Sequence, residues 1–312
     1  MKNKRTNKKR LQKLLVIFLL LLVVSMGGYQ IYEYIEQKDE ADNVVYTAAI
    51  FNAPMAQSIE ILLISESDEK DSVIDNNSNK IQYSDIKNYV EENLDRYVAY
   101  HDLHPELLDA EVIWRVNTKL DYDFYANFAL IEDPLSLTVV VNKYNILDSS
   151  FEPEDLVLIE GTEMYLRSEA YDAYLEMKEA MNKIDLNIDV TSAYRSFNTQ
   201  KTLYNNYVDK HGVEEADTFS ARPGHSGHQL GLVIDVNNGK VPYTSFGKTD
   251  EYTWIKDNAH RFGYIIRYKA NPELTGYQVE EWHLRYVGEE VAVDMYESNI
   301  HILEEYLDKR GL

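Results

Sequence analysis

The sequence predicts an α+β fold in which a small antiparallel sheet is flanked by helices. Amphipathic helical patterns and short apolar, strand-like runs both occur after residue 82. They follow one another without the regular strand–helix alternation of a doubly wound fold, which favours an antiparallel sheet. With 312 residues, 45% of them apolar and 12% aromatic, the chain can bury a substantial core and still carry extra segments.

The N-terminal segment predicts a membrane anchor. Residues 1–13 carry seven lysines and arginines and no acidic residue, and residues 14–32 carry no charge. A stretch of this length is close to the roughly 20 residues that cross a bilayer as a helix. The basic tail is expected to stay in the cytoplasm, which places the rest outside as a single-pass membrane protein. A cleaved signal peptide is the alternative, although no A-x-A pattern follows the apolar run.

The segments between this anchor and the main domain differ in composition. Residues 33–82 contain a strand-like run at 61–65 and then a polar, acidic stretch without periodicity, which is typical of a stalk or linker. Residues 83–136 show apolar positions at helical spacing on both sides of His104-Pro105. We therefore predict an extension of two small helices there.

The main domain is expected to span residues 137–312. The predicted strands are LSLTVVVNKYN at 135–145, LNIDVTSAYRS, GLVIDV at 231–236, YIIRY and WHLRYV. Helices are predicted around Tyr174, after Asn198, before Gly263 and over 289–309.

Composition excludes several classes of site. The chain has no cysteine, so any metal must be held by His, Asp or Glu. After the basic tail, the remaining 24 basic and 53 acidic residues give a formal charge of −29. So acidic a body argues against binding to nucleic acid.

Two of the eight histidines lie in a loop suited to a metal site. His225 and His228 belong to ARPGHSGHQLGLVID, a Gly-rich loop that leads into a strand ending on Asp235. An acid in an apolar strand is costly to bury unless its charge is compensated, and a metal would do so. With a second histidine, best sought at His283, three protein ligands would leave a fourth position open, as in catalytic zinc. The alternative is that Asp235 caps a turn and His283 is a satisfied core histidine.

An acid beside His283 favours the metal interpretation. A hydrolase needs a base near the metal that accepts a proton from water and returns it to the leaving amine. Glu280 and Glu281 are both available. In a regular strand Glu281 shares a face with His283, whereas Glu280 would need a bend or bulge to reach the same site. Spacing alone therefore favours Glu281.

These motifs resemble those of the VanY-like D-alanyl-D-alanine carboxypeptidases, the zinc peptidases of family M15. That family's pattern is S-x-H-x-x-G-x-x-x-D followed by E-x-W-H, and here SGHQLGLVID is followed by EEWHLRYVG. The match runs from about residue 137 to 290. The resemblance implies a hedgehog/DD-peptidase-like fold, Zn²⁺ on His228, Asp235 and His283, and Glu280 as catalytic acid/base, which overrules the preference for Glu281.

The same resemblance implies a substrate and the residues that hold it. Arg195 would bind a peptide carboxylate or a developing oxyanion, and Gln200, Ser226 and Tyr277 match positions that line the substrate pocket. Each of these three also has an ordinary structural interpretation, as a helix-surface, turn or core residue. The implied reaction is removal of the terminal D-alanine from peptidoglycan stem peptides. The alternatives are an L,D-carboxypeptidase, a stem-peptide endopeptidase, and a catalytically silent peptidoglycan-binding protein.

Overall fold

A computed structural model describes residues 30–38, 44–52, 55–61, 83–269 and 271–312. The chain divides into two units, residues 1–73 and residues 74–312, and each is described by itself. The predicted anchor at 14–32 lies outside the described residues except for its last three positions. None of the helices in the described part of the chain combines the length and apolarity that crossing a bilayer requires.

The first unit contains a three-stranded antiparallel sheet of order β1-β2-β3. Its strands are β1 (Gln30–Lys38), β2 (Val44–Asn52) and β3 (Met55–Ile61). These strands occupy residues for which the sequence predicts the end of the anchor and part of a stalk. Their apolar, β-branched and aromatic residues suit a sheet; the polar run at 66–79, which indicates a linker, lies outside the described residues.

The second unit begins with the predicted helical extension. Helix α1 (Leu94–Leu103) and helix α2 (Asp109–Asn117) pack together around a cluster of buried tyrosines and aliphatic residues. The Asn117 amide also donates a 2.8 Å hydrogen bond to Asp308 near the C-terminus. The extension is therefore joined to the rest of this unit by polar contacts as well as by the chain.

A four-stranded antiparallel sheet forms the centre of the second unit, as the predicted α+β class requires. Its strands are β8 (Asp189–Ser192), β9 (Val233–Asn237), β10 (Tyr264–Tyr268) and β11 (Glu280–Tyr286), in the order β10-β11-β9-β8. Two small ladders lie outside it: β4 (Ala129–Leu130) pairs with β5 (Asn145–Ile146), and β6 (Leu156–Leu158) pairs with β7 (Tyr165–Arg167).

Helices cover this sheet and bury its apolar residues. They are α3 (Ser168–Asn182), α4 (Phe197–His211), α5 (Val213–Phe219), α6 (Asp250–Asn258), α7 (Pro272–Thr275), α8 (Glu289–Glu297) and α9 (Leu303–Arg310). Tyr174, Met177 and Met181 of α3 belong to the same buried core as Ile234 and Leu284 of the sheet. The single helix predicted over 289–309 is two helices, separated by a turn with Asn299 at a φ of 55°.

The strand predicted at 135–145 does not form; apart from Asn145 these residues follow an irregular path. The buried Arg285 side chain donates hydrogen bonds of 2.8 Å to the carbonyl of Leu137 and 3.1 Å to that of Val139. These bonds satisfy backbone acceptors that a sheet ladder would otherwise satisfy. Apart from the exposed Leu135, the apolar residues of the run are buried or half-buried by packing without a strand.

Candidate metal centre

His228 is fixed by a single helical turn. The turn spans Gly227–Leu230, with the Ser226 hydroxyl accepting from the His228 backbone amide at its start and Gly231 in the left-handed region, φ 65°, at its end. The Nδ1 atom of His228 lies 2.7 Å from the carbonyl oxygen of Ala193, so Nδ1 carries the proton. Its Nε2 atom is buried and without a hydrogen-bond partner among the described residues. A lone pair on that atom therefore faces the site.

The other two candidate ligands meet across paired strands. His283 of β11 is the register partner of Asp235 of β9. The His283 Nδ1 atom lies 3.1 Å from Asp235 Oδ1, and His228 Nε2 lies 3.4 Å from Asp235 Oδ2. Ligand atoms of all three residues lie within 4.8 Å of one another. The structure therefore brings together the three residues that the resemblance implied as ligands.

The electrostatics of this cluster favour a bound cation. Burial, reinforced by nearby Arg195, lowers the pKa of His228 to about 4, so its imidazole is neutral and able to ligate. Burial by itself would lower the pKa of His283, but its contacts with Asp235 and Glu280 raise it to about 9. The carboxylates of Asp235 and Glu280 thus lie together around His283, where they stabilise a positive charge. Two imidazoles, one of them with the orphaned His228 nitrogen, and one carboxylate fit a zinc ion with an open fourth position.

Glu280, rather than Glu281, faces the cluster. A carboxylate oxygen of Glu280 lies 3.2 Å from His283 Nδ1. The β10–β11 register shifts between Ile266 and Tyr268, which leaves extra residues on β11 between Glu280 and Leu284. The Glu281 carboxylate lies against Gly247 instead. A Cβ added to that glycine would be 2.6 Å from the carboxylate oxygen. Regular strand alternation favoured Glu281 as the acid beside His283. The register shift in β11 explains why Glu280 takes that position.

Arg195 is held beside the cluster by three contacts. Its backbone amide donates to the carbonyl of His228 at 3.2 Å, and one guanidinium nitrogen lies 3.9 Å from Asp235 Oδ2. The guanidinium also donates a 2.7 Å bond to the amide oxygen of Gln200, whose own NH₂ donates to the carbonyl of Ala221 at 2.7 Å. Gln200 is therefore not a helix-surface residue; it is buried in the first turn of α4 and fixes Arg195.

A cleft of about 420 Å³, open to solvent, contains the cluster. The predicted residues Gln200, Ser226 and Tyr277 all line it. Ser226 serves at the same time as the cap of the His228 turn, and Tyr277 is a buried wall residue. The structure thus brings all the predicted site residues to one cleft.

Sequence reasoning missed several aromatic side chains of this cleft. Tyr243 and Trp282 pack edge to face at 5.1 Å, and the Tyr243 hydroxyl bonds Thr191. Tyr268 lies with its ring centroid 4.9 Å from that of His283. Trp282 could have been found, because it is the W of the E-x-W-H pattern. Tyr243 and Tyr268 lie outside any motif, among 25 tyrosines that gave no means of choosing.

Comparison with known proteins agrees with this geometry. The family profile described as VanY, D-alanyl-D-alanine carboxypeptidase, matches residues 163–289, which include every residue of the cluster. Over 191 residues the chain is 38% identical to YodJ of Bacillus subtilis, which carries a provisional assignment as a carboxypeptidase. That alignment covers 57% of this chain and 70% of YodJ. The chain belongs to the VanY-like family of carboxypeptidases.

Further relatives are consistent with this membership. The D-alanyl-D-alanine carboxypeptidase of Enterococcus faecalis is 32% identical over 180 residues, covering 54% of this chain and 65% of that protein. The solved structure of the LdcB LD-carboxypeptidase shares 37% identity with a TM-score of 0.55 and covers 59% of this chain and 91% of that one. The profile match begins after the extension at 83–136, so the extension is additional to the matched region.

Proposed function

We propose that this VanY-like carboxypeptidase is a zinc-dependent D,D-carboxypeptidase that removes the terminal D-alanine from peptidoglycan stem peptides. The observation that carries the proposal is the Glu280 carboxylate, 3.2 Å from His283 Nδ1, beside a buried His–Asp–His cluster in an open cleft. A binding module would have no need for an acid at that place. Zinc held by the cluster would supply a Lewis acid that activates water and polarises the scissile carbonyl.

The residues of the chain divide the remaining work. Glu280 accepts the proton of the attacking water and delivers it to the departing amine, since it reaches the cluster without belonging to it. Arg195, a cation held against Asp235 and Gln200, stabilises negative charge that develops on the scissile carbonyl oxygen. The hydrogen bond from His228 to Ala193 keeps the ligand nitrogen directed at the site.

Substrate recognition is assigned to the cleft residues on either side of this centre. Arg195 offers a cation to a peptide carboxylate, Gln200 holds that cation at the cleft wall, and Ser226 and Tyr277 offer hydroxyls. Release of D-alanine from a tetrapeptide, an L,D-carboxypeptidase reaction, is the second candidate. The 37% identity to the LdcB LD-carboxypeptidase, with a TM-score of 0.55, supports this second candidate.

The cellular setting is proposed from the sequence. The uncharged segment 14–32 behind seven basic residues supports a single membrane anchor with an extracytoplasmic catalytic unit. Protease treatment of intact cells, followed by detection of the N- and C-terminal ends, tests this topology. Recovery of the untruncated chain in the soluble fraction would refute it.

The test of the reaction uses the full chain loaded with zinc. Incubation with defined penta- and tetrapeptide stems, with products identified by mass, should show loss of one D-alanine from the pentapeptide. Loss from the tetrapeptide alone would favour the L,D reaction, and cleavage inside the stem would identify an endopeptidase. If neither zinc nor released D-alanine were found, the silent binding protein would replace the proposal.

A further inference from the structure

A buried lysine, Lys143, lies at the centre of an aromatic cluster behind the substrate cleft. Its ammonium lies 4.5 Å from the ring centroid of Tyr277, 4.8 Å from that of Phe124 and 4.9 Å from that of Tyr125. It also donates a 2.7 Å hydrogen bond to the carbonyl of Asp217. Several aromatic faces around one desolvated cation stabilise each other's positions through cation–π attraction. The four side chains Phe124, Tyr125, Lys143 and Tyr277 are called the aromatic cluster below.

Tyr125 connects two parts of the cleft within this cluster. Its hydroxyl lies 3.4 Å from the hydroxyl of Tyr277, which lines the cleft. The guanidinium of Arg222 lies 4.0 Å from the Tyr125 ring centroid, and the ring of His225 meets it edge to face at 5.0 Å. Arg222 and His225 begin the loop that continues to Ser226 and His228. The Tyr125 side chain therefore contacts both Tyr277 and the loop that carries Ser226 and His228.

Two residues at these contacts, Tyr125 and Gly276, have left-handed backbone conformations. Both conformations allow the side chains of the aromatic cluster to lie close together. Tyr125 has a φ of 66°, a conformation that is rare for an aromatic residue and persists only where the surroundings enforce it. Gly276, next to Tyr277, has a φ of 76°, and a Cβ there would lie 2.5 Å from the Lys143 side chain. Burial raises the pKa of Tyr125 to about 12, so its hydroxyl stays protonated at neutral pH.

Tyr125 belongs to the extension at 83–136 and lies outside the matched region 163–289. We propose that Tyr125 is a positioning residue through which the extension holds the Tyr277 hydroxyl in the cleft and thereby sets the affinity for the stem peptide. Tyr125 itself does not line the cleft, so it acts through Tyr277. This inference rests on the proposed carboxypeptidase function.

The test compares Tyr125→Phe with wild type, using the full zinc-loaded chain and the stem peptide that wild type hydrolyses. Losing the bond to the Tyr277 hydroxyl, together with the weak 3.5 Å bond that the Arg222 backbone amide donates to Tyr125, is expected to raise KM about three- to tenfold, while kcat and zinc content stay unchanged. The same loss should appear as weaker binding of that peptide to a Glu280→Gln chain in calorimetry. Tyr122→Phe is the matched control, since Tyr122 is an exposed tyrosine of the same segment.

A double-mutant cycle separates positioning from a general structural effect. If Tyr125 acts through Tyr277, the Tyr125→Phe/Tyr277→Phe chain should have the KM of Tyr277→Phe alone. A wild-type KM for Tyr125→Phe, or additive effects in the double mutant, would overturn the inference while leaving the carboxypeptidase proposal intact. If the wild-type chain released no amino acid from any stem peptide, both would fall together.

Discussion

The metal cluster lies in the substrate cleft and the aromatic cluster behind it, sharing only Tyr277 with the cleft wall, and the two are built by different means. His283 and Asp235 are register partners in the central sheet, so backbone pairing places their side chains. The aromatic cluster takes its members from the extension and from loops, and contacts between side chains, with a hydrogen bond from Lys143 to a backbone carbonyl, hold it together. Asp235, His283 and Glu280 thus lie on strands of the sheet, whereas the aromatic cluster lies on segments that vary more readily.

The largest effect is expected from removing a metal ligand. His228→Ala should lose zinc and all detectable hydrolysis, because the remaining residues supply only two of the three ligands. His225→Gln is the matched control from the same loop: His225 bonds the carbonyl of Asn142 and is not in the cluster. Zinc content by mass spectrometry and circular dichroism of both variants check this. Zinc loss in His225→Gln would show that the loop histidines are assigned wrongly.

The two adjacent glutamates should differ sharply. Glu280→Gln should lower kcat about 10²- to 10⁴-fold with zinc retained, since only proton transfer is removed. Glu281→Gln should remain near wild type, because that carboxylate packs against Gly247 on another side of the strand. Initial rates with zinc content measured on the same samples decide between them. Equal losses in both variants would contradict the geometric assignment.

The third prediction concerns Gln200, which holds the Arg195 guanidinium beside the metal cluster. Gln200→Ala removes a 2.7 Å hydrogen bond from the Arg195 guanidinium and should lower kcat/KM about 10- to 100-fold. Lys201→Ala, an exposed change one residue further along α4, should have no effect. Steady-state kinetics with the stem peptide measure both. An unchanged kcat/KM in Gln200→Ala would mean that Arg195 is held without Gln200.

The smallest expected effect is a pH dependence of stability from the aromatic cluster. Burial lowers the pKa of Lys143 to about 8, whereas an unfolded lysine titrates near about 10.4. Between these values the folded state binds fewer protons than the unfolded state, so the lysine's contribution to unfolding free energy should rise with pH. Urea denaturation of wild type and Lys143→Met at several pH values measures this as a difference. A constant difference from pH 8 to 10 would refute the shifted pKa.

The sequence predicted the metal cluster better than its surroundings. Spacing and the family pattern together pointed to His228, Asp235 and His283. An acid in an apolar strand needs a compensating cation, and histidines can bind a metal cation together with that acid. The choice of Glu280 needed the resemblance, since the register shift in β11 follows from how β10 pairs and leaves no local signal. The absence of a strand at 135–145 was equally hidden, because Arg285, far along the chain, supplies the backbone hydrogen bonds. The cluster around Lys143 also depends on distant residues.

The pairing of Asp235 with His283 also bears on the order in which the active protein is made. Their neighbours Ile234 and Leu284 are fully buried in the core, so strand pairing and core packing define the positions of the two ligands. Many small zinc domains, by contrast, remain unfolded until they are loaded. We therefore expect this chain to fold first and acquire its metal afterwards.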